Sequence, residues 1–213
     1  MGDLVTLTID DQELKVPRGE KILWAALENQ IYIPHLCSIK EISRPPASCR
    51  LCFVEIEGYQ DPVTSCTREV SDGMVVYTRS SRVDRLVKTA FELLLSDHRL
   101  KCSECPKNRN CALQRIARER KLKLNHKSFP LLKREIYPDE SPAGFTRDPG
   151  RCVLCGKCVW ADREIAGVGA LGFSGRGIER SVATFQNQPL AESSCTECGE
   201  CVEICPTGAL YFK

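Results

Sequence analysis

The chain contains 213 residues, of which 27% are charged, and it carries a formal net charge of +2 at pH 7. This composition excludes a disordered or strongly charged tail, and it argues against a protein that binds nucleic acid through a basic surface. The sequence contains no stretch of about 18 apolar residues, so no membrane span is predicted. The N-terminus lacks the basic and apolar regions of a signal peptide, so we expect a cytoplasmic protein without disulfides.

Residues 1–80 have the pattern of a small domain with strands around a helix. Side chains alternate in polarity from Leu4 to Ile9, and Glu13 to Val16 can form a second strand after a turn. Apolar residues recur at helical spacing between Gly19 and Asn29. Alternation resumes twice between Cys52 and Val70. Two strands, a helix and further strands predict a β-grasp domain of the ferredoxin type.

Four cysteines in this segment form the first candidate metal site: Cys37, Cys49, Cys52 and Cys66. They keep the tight C-x2-C pair and the distant fourth ligand of plant-type two-iron ferredoxins, although the first interval is longer. Thiolates are the soft anionic donors that iron–sulfur clusters need. We therefore predict a [2Fe–2S] cluster here. His35, which lies just before the first cysteine, is interpreted as a structural loop residue.

Residues 81–127 are expected to form a small helical domain around a second site. A stripe of apolar residues from Ser81 to Asp97 predicts an amphipathic helix whose apolar face packs against the protein. The helix is followed by the pattern H-x3-C-x2-C-x5-C, formed by His98, Cys102, Cys105 and Cys111. Three cysteines leave a four-iron cube one ligand short, and His98 is placed to supply it. We predict a [4Fe–4S] cluster with one neutral imidazole ligand, which shifts its potential.

Three other stretches have weaker patterns. The basic run from Arg115 to Leu124 is typical of a solvated helix or a docking face for an acidic partner, and no nucleic-acid partner is predicted. Residues 128–150 contain Pro130, Pro138, Pro142 and Pro149 and are expected to be an extended connector. Gly167 to Gly172 match G-x-G-x-x-G, but the strand–turn–helix context is missing, so nucleotide binding is not predicted.

Residues 151–213 contain seven cysteines in two runs. The first run is Cys152, Cys155 and Cys158, and the second is Cys195, Cys198, Cys201 and Cys205. The second run and the following proline have the C-x2-C-x2-C-x3-C-P spacing of bacterial ferredoxins. Structural zinc is the main alternative for such thiol pairs, but zinc sites usually draw on two separated pairs. We therefore predict a ferredoxin-like domain with two [4Fe–4S] clusters.

The fourth ligands in this domain are not equivalent. In two-cluster ferredoxins the fourth cysteine of each run ligates the other cluster. Cys205 should therefore complete the cube of Cys152, Cys155 and Cys158, whereas the residue at the corresponding position for the other cube is Asp162. Asp162 then ligates an iron that is labile, because carboxylate is a harder donor than thiolate. Alternatively, three cysteines alone hold a [3Fe–4S] cluster and the carboxylate is solvated.

The order of these sites resembles a known group of electron-input modules. A looped two-iron site, a site of one histidine and three cysteines, and a ferredoxin-like pair are similar to the N-terminal part of the large iron–sulfur subunit of NADH dehydrogenase. They are similar also to the N-terminal part of multi-cluster iron-only hydrogenases, and to the small iron–sulfur subunits of NAD-linked hydrogenases and formate dehydrogenases. The resemblance covers essentially the whole chain. It implies an α+β protein with one [2Fe–2S] and three [4Fe–4S] clusters.

The resemblance implies an electron-relay subunit that has no catalytic residue of its own. Its expected partners are a flavin-containing subunit that oxidises NAD(P)H and a separate catalytic subunit. We expect a hydrogenase-type complex, with electron bifurcation as an option, although a formate dehydrogenase or an aromatic-ring (acyl-CoA) reductase complex would use the same relay. A freely diffusing ferredoxin is a further alternative. A zinc-stapled scaffold or adaptor is the alternative from another functional class.

Overall fold

The computed structural model describes residues 3–125, 127–129 and 137–213. The fold is mixed α/β and forms two compact units, Met1–Glu92 and Leu93–Lys213. The strands are β1 Leu4–Ile9, β2 Gln12–Pro17, β3 Phe53–Ile56, β4 Val63–Thr64, β5 Met74–Tyr77, β6 Phe145–Arg147, β7 Gly172–Ser174, β8 Ser181–Ala183 and β9 Leu210–Phe212. The helices are α1 Ile22–Glu28, α2 Ser81–Leu95, α3 Ala112–Arg120, α4 Lys157–Trp160 and α5 Glu200–Glu203.

The first unit is built on a five-stranded sheet with the strand order β2-β1-β5-β3-β4. β1 pairs antiparallel with β2 and parallel with β5, and β5 pairs antiparallel with β3. The alternation of β1 buries Val5, Leu7 and Ile9, which belong to the same core cluster as Ile22 and Leu23 of α1. The period-two pattern of the sequence is therefore a strand with one buried face.

A two-residue turn, Asp10 and Asp11, joins β1 to β2. The two residues have positive φ angles of 47° and 65°, as a type I′ hairpin turn requires. The carboxylate of Asp10 also accepts hydrogen bonds from Thr78, one from its backbone N–H at 2.8 Å and one from its hydroxyl. The side chain of the turn thus ties the hairpin to the residue that follows β5.

α1 is shorter than the helix expected between Gly19 and Asn29. Gly19 has a φ of +86°, and Lys21 has an extended backbone that bridges to Glu69. The Lys21 ammonium also lies 2.7 Å from the Glu69 carboxylate. Because this long-range pairing holds the preceding residues extended, the helix begins only at Ile22.

α2 is the longest helix in the described ranges, with 15 residues. The hydroxyl of Ser80 accepts the backbone N–H of Val83 at 3.1 Å, which satisfies one free donor of the first turn. Val83, Val87 and Phe91 are buried, as the apolar stripe in the sequence predicts. In the part of the chain that the structure describes, neither α2 nor any other helix has the length and apolar character to cross a membrane.

The second unit combines short helices with two small antiparallel sheets. β6 pairs with β9, and β7 pairs with β8. Phe145 of β6 is 1% exposed and belongs to a core cluster with Leu171, Leu190 and Leu210. β6 lies within residues 128–150, the expected connector, because the burial of Phe145 draws the end of that segment into the sheet. Residues 130–136 of the same segment lie outside the described residues.

Candidate iron–sulfur sites

The four cysteines of the first unit are all buried. The sulfur atoms of Cys37 and Cys49 are 3.4 Å apart. Cys52 precedes β3 and Cys66 follows β4, and the thiols of these two residues are in contact. The backbone N–H of Ser65 donates to the carbonyl of Cys52 at 2.9 Å, which holds the two strand ends together. The sheet therefore pairs cysteines that are far apart in the sequence.

Contacts among these four thiols lower the pKa of two of them and raise the pKa of the other two. The pKa of Cys37 is lowered to about 5 by its contact with the Cys49 thiol, whose own pKa is raised by the same contact. Likewise, the contact between Cys52 and Cys66 lowers the pKa of Cys52 and raises that of Cys66. Negative charge is costly in this buried group without a cation, and iron would stabilise all four thiolates.

A buried hydroxyl on the residue that follows Cys37 bears on the fit of this group to an iron–sulfur cluster. Ser38 is 1% exposed, and its Oγ has no hydrogen-bond partner among the described residues. Buried hydroxyl groups are normally hydrogen-bonded, so this donor calls for an acceptor that the polypeptide does not supply. The inorganic sulfide of a cluster is such an acceptor. The four thiols fit a [2Fe–2S] group, and the Ser38 hydroxyl, on the residue after Cys37, is a buried donor that such a group could satisfy.

The residues of the second candidate site lie in the chain segment between α2 and α3. His98 is 6% exposed, and its backbone N–H donates to the carbonyl of Leu95 at 3.0 Å, at the end of α2. Cys111 is the residue immediately before α3. Burial raises the pKa of Cys111, and the nearby Cys105 and Cys102 raise it further. The structure thus groups the three cysteines and places His98 in a buried position just after a helix.

One cavity in the second unit is lined by Cys152, Cys155, Cys158 and Cys205. Most of its other lining residues are apolar, Leu171 among them. The last cysteine of the second run is thereby brought to the three cysteines of the first run. Four thiols around an apolar space are suited to a cluster, because a low dielectric strengthens the attraction between iron and thiolate.

The two cysteine runs of this unit have the same backbone geometry. Leu154 and Glu197 occupy equivalent positions and have φ angles of +53° and +55°. Their backbone N–H groups donate to the sulfur atoms of Cys152 at 3.3 Å and Cys195 at 3.4 Å. A hydrogen bond to sulfur favours the thiolate over the thiol. Both loops are therefore shaped to present anionic sulfur to iron.

Burial works against the thiolate in these two runs as long as iron is not bound. It raises the pKa of Cys152 to about 11 and those of Cys155 and Cys201 to about 12. It also raises the pKa of Cys158 well above the ordinary value of a thiol. Since iron binds thiolate, loading these sites must release protons.

Asp162 is buried in the turn of π-helix Ala161–Ile165 that follows α4. Its Oδ2 accepts the backbone N–H of Leu171 at 2.8 Å, and its carbonyl accepts the N–H of Val168 at 2.9 Å. Burial raises the pKa values of Cys195 and Cys201, and the nearby negative charge of Asp162 raises them further. The carboxylate therefore lies near the three-cysteine run that lacks a fourth thiol.

The stretch Gly167 to Gly172 has a structural role that its sequence pattern did not indicate. It ends in β7, and the next element after β7 is a three-residue 3-10 turn, Gly177–Glu179, instead of the long helix that the motif requires. Gly167 and Gly169 have φ angles of +67° and +75°, which let the backbone curl around Asp162. The residues matching a dinucleotide motif are therefore a loop that holds Asp162, with the N–H of Leu171 on its carboxylate and the N–H of Val168 on its backbone carbonyl.

Two aromatic side chains beside the cysteine runs were also missed from the sequence. A Cβ atom added to Gly156 would lie 3.1 Å from the ring of Phe173, and one added to Gly199 would lie 3.1 Å from the ring of Phe212. Each ring thus packs on the glycine between the second and third cysteines of its run. Tertiary structure alone brings these pairs together, and only the repeated C-x2-C-G-x-C spacing hinted at equivalent environments.

Within residues 3–125, 127–129 and 137–213, no three cysteine, histidine, aspartate or glutamate side chains are arranged as ligands of one metal ion. A four-iron cube attaches each ligand to its own iron, so its ligands need not converge on one point. His35, for its part, packs edge-on against Trp24 with ring centroids 5.7 Å apart. The fold and these donor groups define the class as a multi-cluster iron–sulfur protein.

Three family models match successive parts of the chain. Residues 2–81 match a 2Fe-2S iron–sulfur cluster binding domain. Residues 88–125 match the NADH-ubiquinone oxidoreductase-G iron–sulfur binding region. Residues 145–211 match the ferredoxin-like domain of NADH-quinone oxidoreductase subunit 3. The order of these models is the order of the cysteine runs.

Curated relatives match over nearly the whole chain. The chain is 37% identical to the NADP-reducing hydrogenase subunit HndD of Solidesulfovibrio fructosivorans over 97% of its length, and it covers 36% of that protein. It is 38% identical to the NADPH-Fe(3+) oxidoreductase subunit alpha of Geobacter sulfurreducens over 99% of its length, covering 24% of that protein. It therefore spans about a third or a quarter of these relatives.

One solved structure matches nearly all of this chain, and this chain also covers most of the matched one. A crystal structure of NAD+-reducing [NiFe]-hydrogenase in the H2-reduced state superposes with a TM-score of 0.87 and 32% identity, covering 98% of this chain and 87% of the matched one. The chain therefore belongs to the family of iron–sulfur electron-transfer subunits of NAD(P)-linked oxidoreductases.

Proposed function

We propose that the chain carries electrons between a flavin-containing subunit that oxidises NAD(P)H and a separate catalytic subunit of a hydrogenase-type complex in the cytoplasm. The observation that carries this proposal is the cavity that gathers Cys205 with the three cysteines of the preceding run. Such a thiol set suits cluster chemistry. The hydrogenase assignment is supported by a NADP-reducing hydrogenase subunit and a NAD+-reducing hydrogenase among the similar proteins.

The proposed cofactors are one [2Fe–2S] and three [4Fe–4S] clusters, one group to each thiol set. The first belongs to a β-grasp domain at residues 1–80, the second to a helical domain at 81–127, and the last two to a ferredoxin-like domain at 151–213. When bound, the clusters supply one-electron redox chemistry, and the polypeptide fixes their ligands and burial. The ligands by site are Cys37, Cys49, Cys52 and Cys66; His98, Cys102, Cys105 and Cys111; Cys152, Cys155, Cys158 and Cys205; and Cys195, Cys198, Cys201 and Asp162.

Two contacts support electron passage between the second and third of these sites. The backbone N–H of Ala112 donates to the carbonyl of Pro206 at 2.9 Å. These residues directly follow Cys111 and Cys205, which are proposed ligands of different clusters. In addition, a Cβ atom on Gly208 would lie 2.5 Å from the sulfur of Cys105, so only glycine permits this approach. The segment after Cys205 therefore lies directly against the ligands of the His98 site.

The relay function does not depend on which reaction the catalytic partner performs. A formate dehydrogenase or an aromatic-ring (acyl-CoA) reductase complex would need the same subunit, and an electron-bifurcating hydrogenase would use it too. Sequencing the proteins that co-purify with the native chain decides among these complexes. A freely diffusing ferredoxin would instead elute alone from size-exclusion chromatography of native extract.

Metal and sulfide content of the anaerobically purified chain tests the relay itself. Three cubes and one two-iron cluster predict about 14 iron atoms per chain by simple addition of the cluster types. The solution should be brown and should bleach on reduction. A colourless, zinc-loaded protein would instead establish the scaffold or adaptor alternative.

The role of Asp162 has a separate test. Its burial, its hydrogen bond from Leu171 and its proximity to Cys195 and Cys201 support iron ligation by the carboxylate. Because a carboxylate holds iron less firmly than thiolate does, mild oxidation should release one iron from this site. Asp162→Cys should prevent the loss, and Asp162→Ala should leave a [3Fe–4S] cluster in the protein as purified. Identical EPR spectra and iron contents in all three proteins would make Asp162 a bystander.

A further inference from the structure

The two cysteine runs of the second unit share one backbone but carry opposite charges. The glycine after the second cysteine has φ of +78° at Gly156 and +84° at Gly199, and an aromatic ring packs on each. The residue after the glycine is Lys157 in the first run and Glu200 in the second. Both side chains are half-buried. At this matched position, between the second and third cysteines of each run, the two runs therefore differ by two units of charge.

The remaining matched positions extend the contrast. Leu154 of the first run corresponds to Glu197 of the second, and Trp160 corresponds to Glu203. Between its first and last cysteine the second run thus contains three carboxylates and no cation. In the first run Lys157 is the one charged residue between Cys152 and Cys158.

The aromatic rings that pack on the two glycines differ in the same sense, because a cation covers only one of them. Phe173, which packs on Gly156, is itself covered by the guanidinium of Arg180, whose carbon lies 4.1 Å from the ring centroid. A cation held on a ring face in this way is fixed in position. Phe212, which packs on Gly199, is 52% exposed, and no cation is found over its ring in the described residues.

We propose that these matched residues set a potential difference between the two clusters of this domain, with the Cys152/Cys155/Cys158/Cys205 cluster the more easily reduced. The inference rests on the ligands assigned under the proposed function. Reduction adds one electron, and cations nearby stabilise that added charge while carboxylates oppose it. Lys157 and Arg180 act on the first cluster; Glu197, Glu200 and Glu203 act on the second.

One feature of the second run opposes this trend. Cys198 is exposed, whereas Cys155 at the matched position is buried, and water also stabilises added charge. Exposure further screens the surrounding carboxylates. Outside the runs, Asp97 and Asp148 lie near the cysteines of the first cluster, but Arg147 also lines that cavity and Asp148 is paired with Arg151 at 3.2 Å. Between the matched cysteines themselves, the charged side chains have a single sign in each run. Electrons at equilibrium therefore rest on the first cluster, which is the one adjoining the His98 site, and the second cluster fills only under stronger reduction.

The test is an EPR-monitored redox titration of the full chain, in wild type and in an Asp162→Cys background. That background gives both clusters four thiolates, so ligand type no longer contributes to the difference. Lys157→Glu should lower the midpoint of the cluster that is reduced first, and Glu200→Lys should raise the midpoint of the other. The double variant should narrow the gap most. Glu13→Lys on β2 gives the same charge change outside both runs and should leave the gap unaltered.

The outcomes separate this inference from the ligand assignments. Iron content short of three cubes in the Asp162→Cys protein would overturn the assignments, and the inference with them. Full iron content with equal midpoints, with a reversed order, or with a gap that neither charge swap changes would overturn the inference alone. Arg180→Gln should lower only the midpoint of the first cluster, and an unchanged value would remove Arg180 from the set.

Discussion

The four cysteines of the first unit and the last cysteine run of the second unit, which we propose as iron ligands, are placed by the protein in two different ways. Cys37, Cys49, Cys52 and Cys66 are buried within or beside the core of a five-stranded sheet, whereas Cys198 lies exposed on a loop. In the first unit the fold places the ligands, and strand pairing brings them together. In the last run local loop geometry places them. Ligands in a core are protected and costly to change, and ligands on a loop are accessible.

Replacing one cysteine of each site by serine should give the largest difference between the two sites. Cys66→Ser puts a hydroxyl at a site that is 0% exposed, so besides weakening the [2Fe–2S] cluster it should destabilise the first unit by about 1–3 kcal/mol. Cys198→Ser should alter its cluster but leave the thermal unfolding of the first unit unchanged. Iron content and unfolding followed by circular dichroism measure both effects. Equal destabilisation by the two variants would contradict the contrast between core and loop.

A chelator should remove iron from the same two sites at different rates. Iron at the Cys195/Cys198/Cys201 site should be lost several-fold faster than iron at the Cys37 site, since one proposed ligand, Cys198, is exposed and another, Asp162, is a carboxylate. The measurement takes aliquots of oxidised protein after timed exposure to a chelator, reduces them with dithionite, and records the EPR signal of each reduced cluster. Asp162→Cys serves as the matched variant and should slow only the faster phase. Loss of the [2Fe–2S] signal first would overturn the expected order.

The His98 site is an intermediate case and should give the smallest effect. Its histidine is buried like the first set, whereas Cys102, Cys105 and Cys111 are only half-buried. His98→Cys should keep a cube but lower its potential, because an anionic ligand replaces a neutral one. A redox titration followed by EPR reads this shift against the other clusters as internal references. An unaltered midpoint and spectrum would count against ligation by His98.

Strand and helix patterns in the sequence were reliable where the local signal agreed with the packing. The alternation of Leu4–Ile9 became β1, and the apolar stripe after Ser81 became α2. The helix expected from Gly19 begins later, since Lys21 is drawn into a bridge with a residue 48 positions away. Local periodicity cannot register such a distant partner.

The sequence by itself determined the kind of chemistry, because spacing and donor type are properties of the linear chain. The runs of cysteine predicted iron–sulfur sites in their order along the molecule, and the family comparisons agree with that order. Asp162 could be singled out because it stands in the first run at the position where the second run has a cysteine, Cys205.

Only the tertiary structure decided what surrounds each site. The approach of Cys205 to Cys152, the backbone loop around Asp162 and the ring of Phe173 on Gly156 all join residues separated by 9 or more positions. Such contacts depend on how loops close and pack, which no short pattern encodes. Burial, hydrogen bonds to sulfur and neighbouring charge follow from those contacts, and they control pKa and potential.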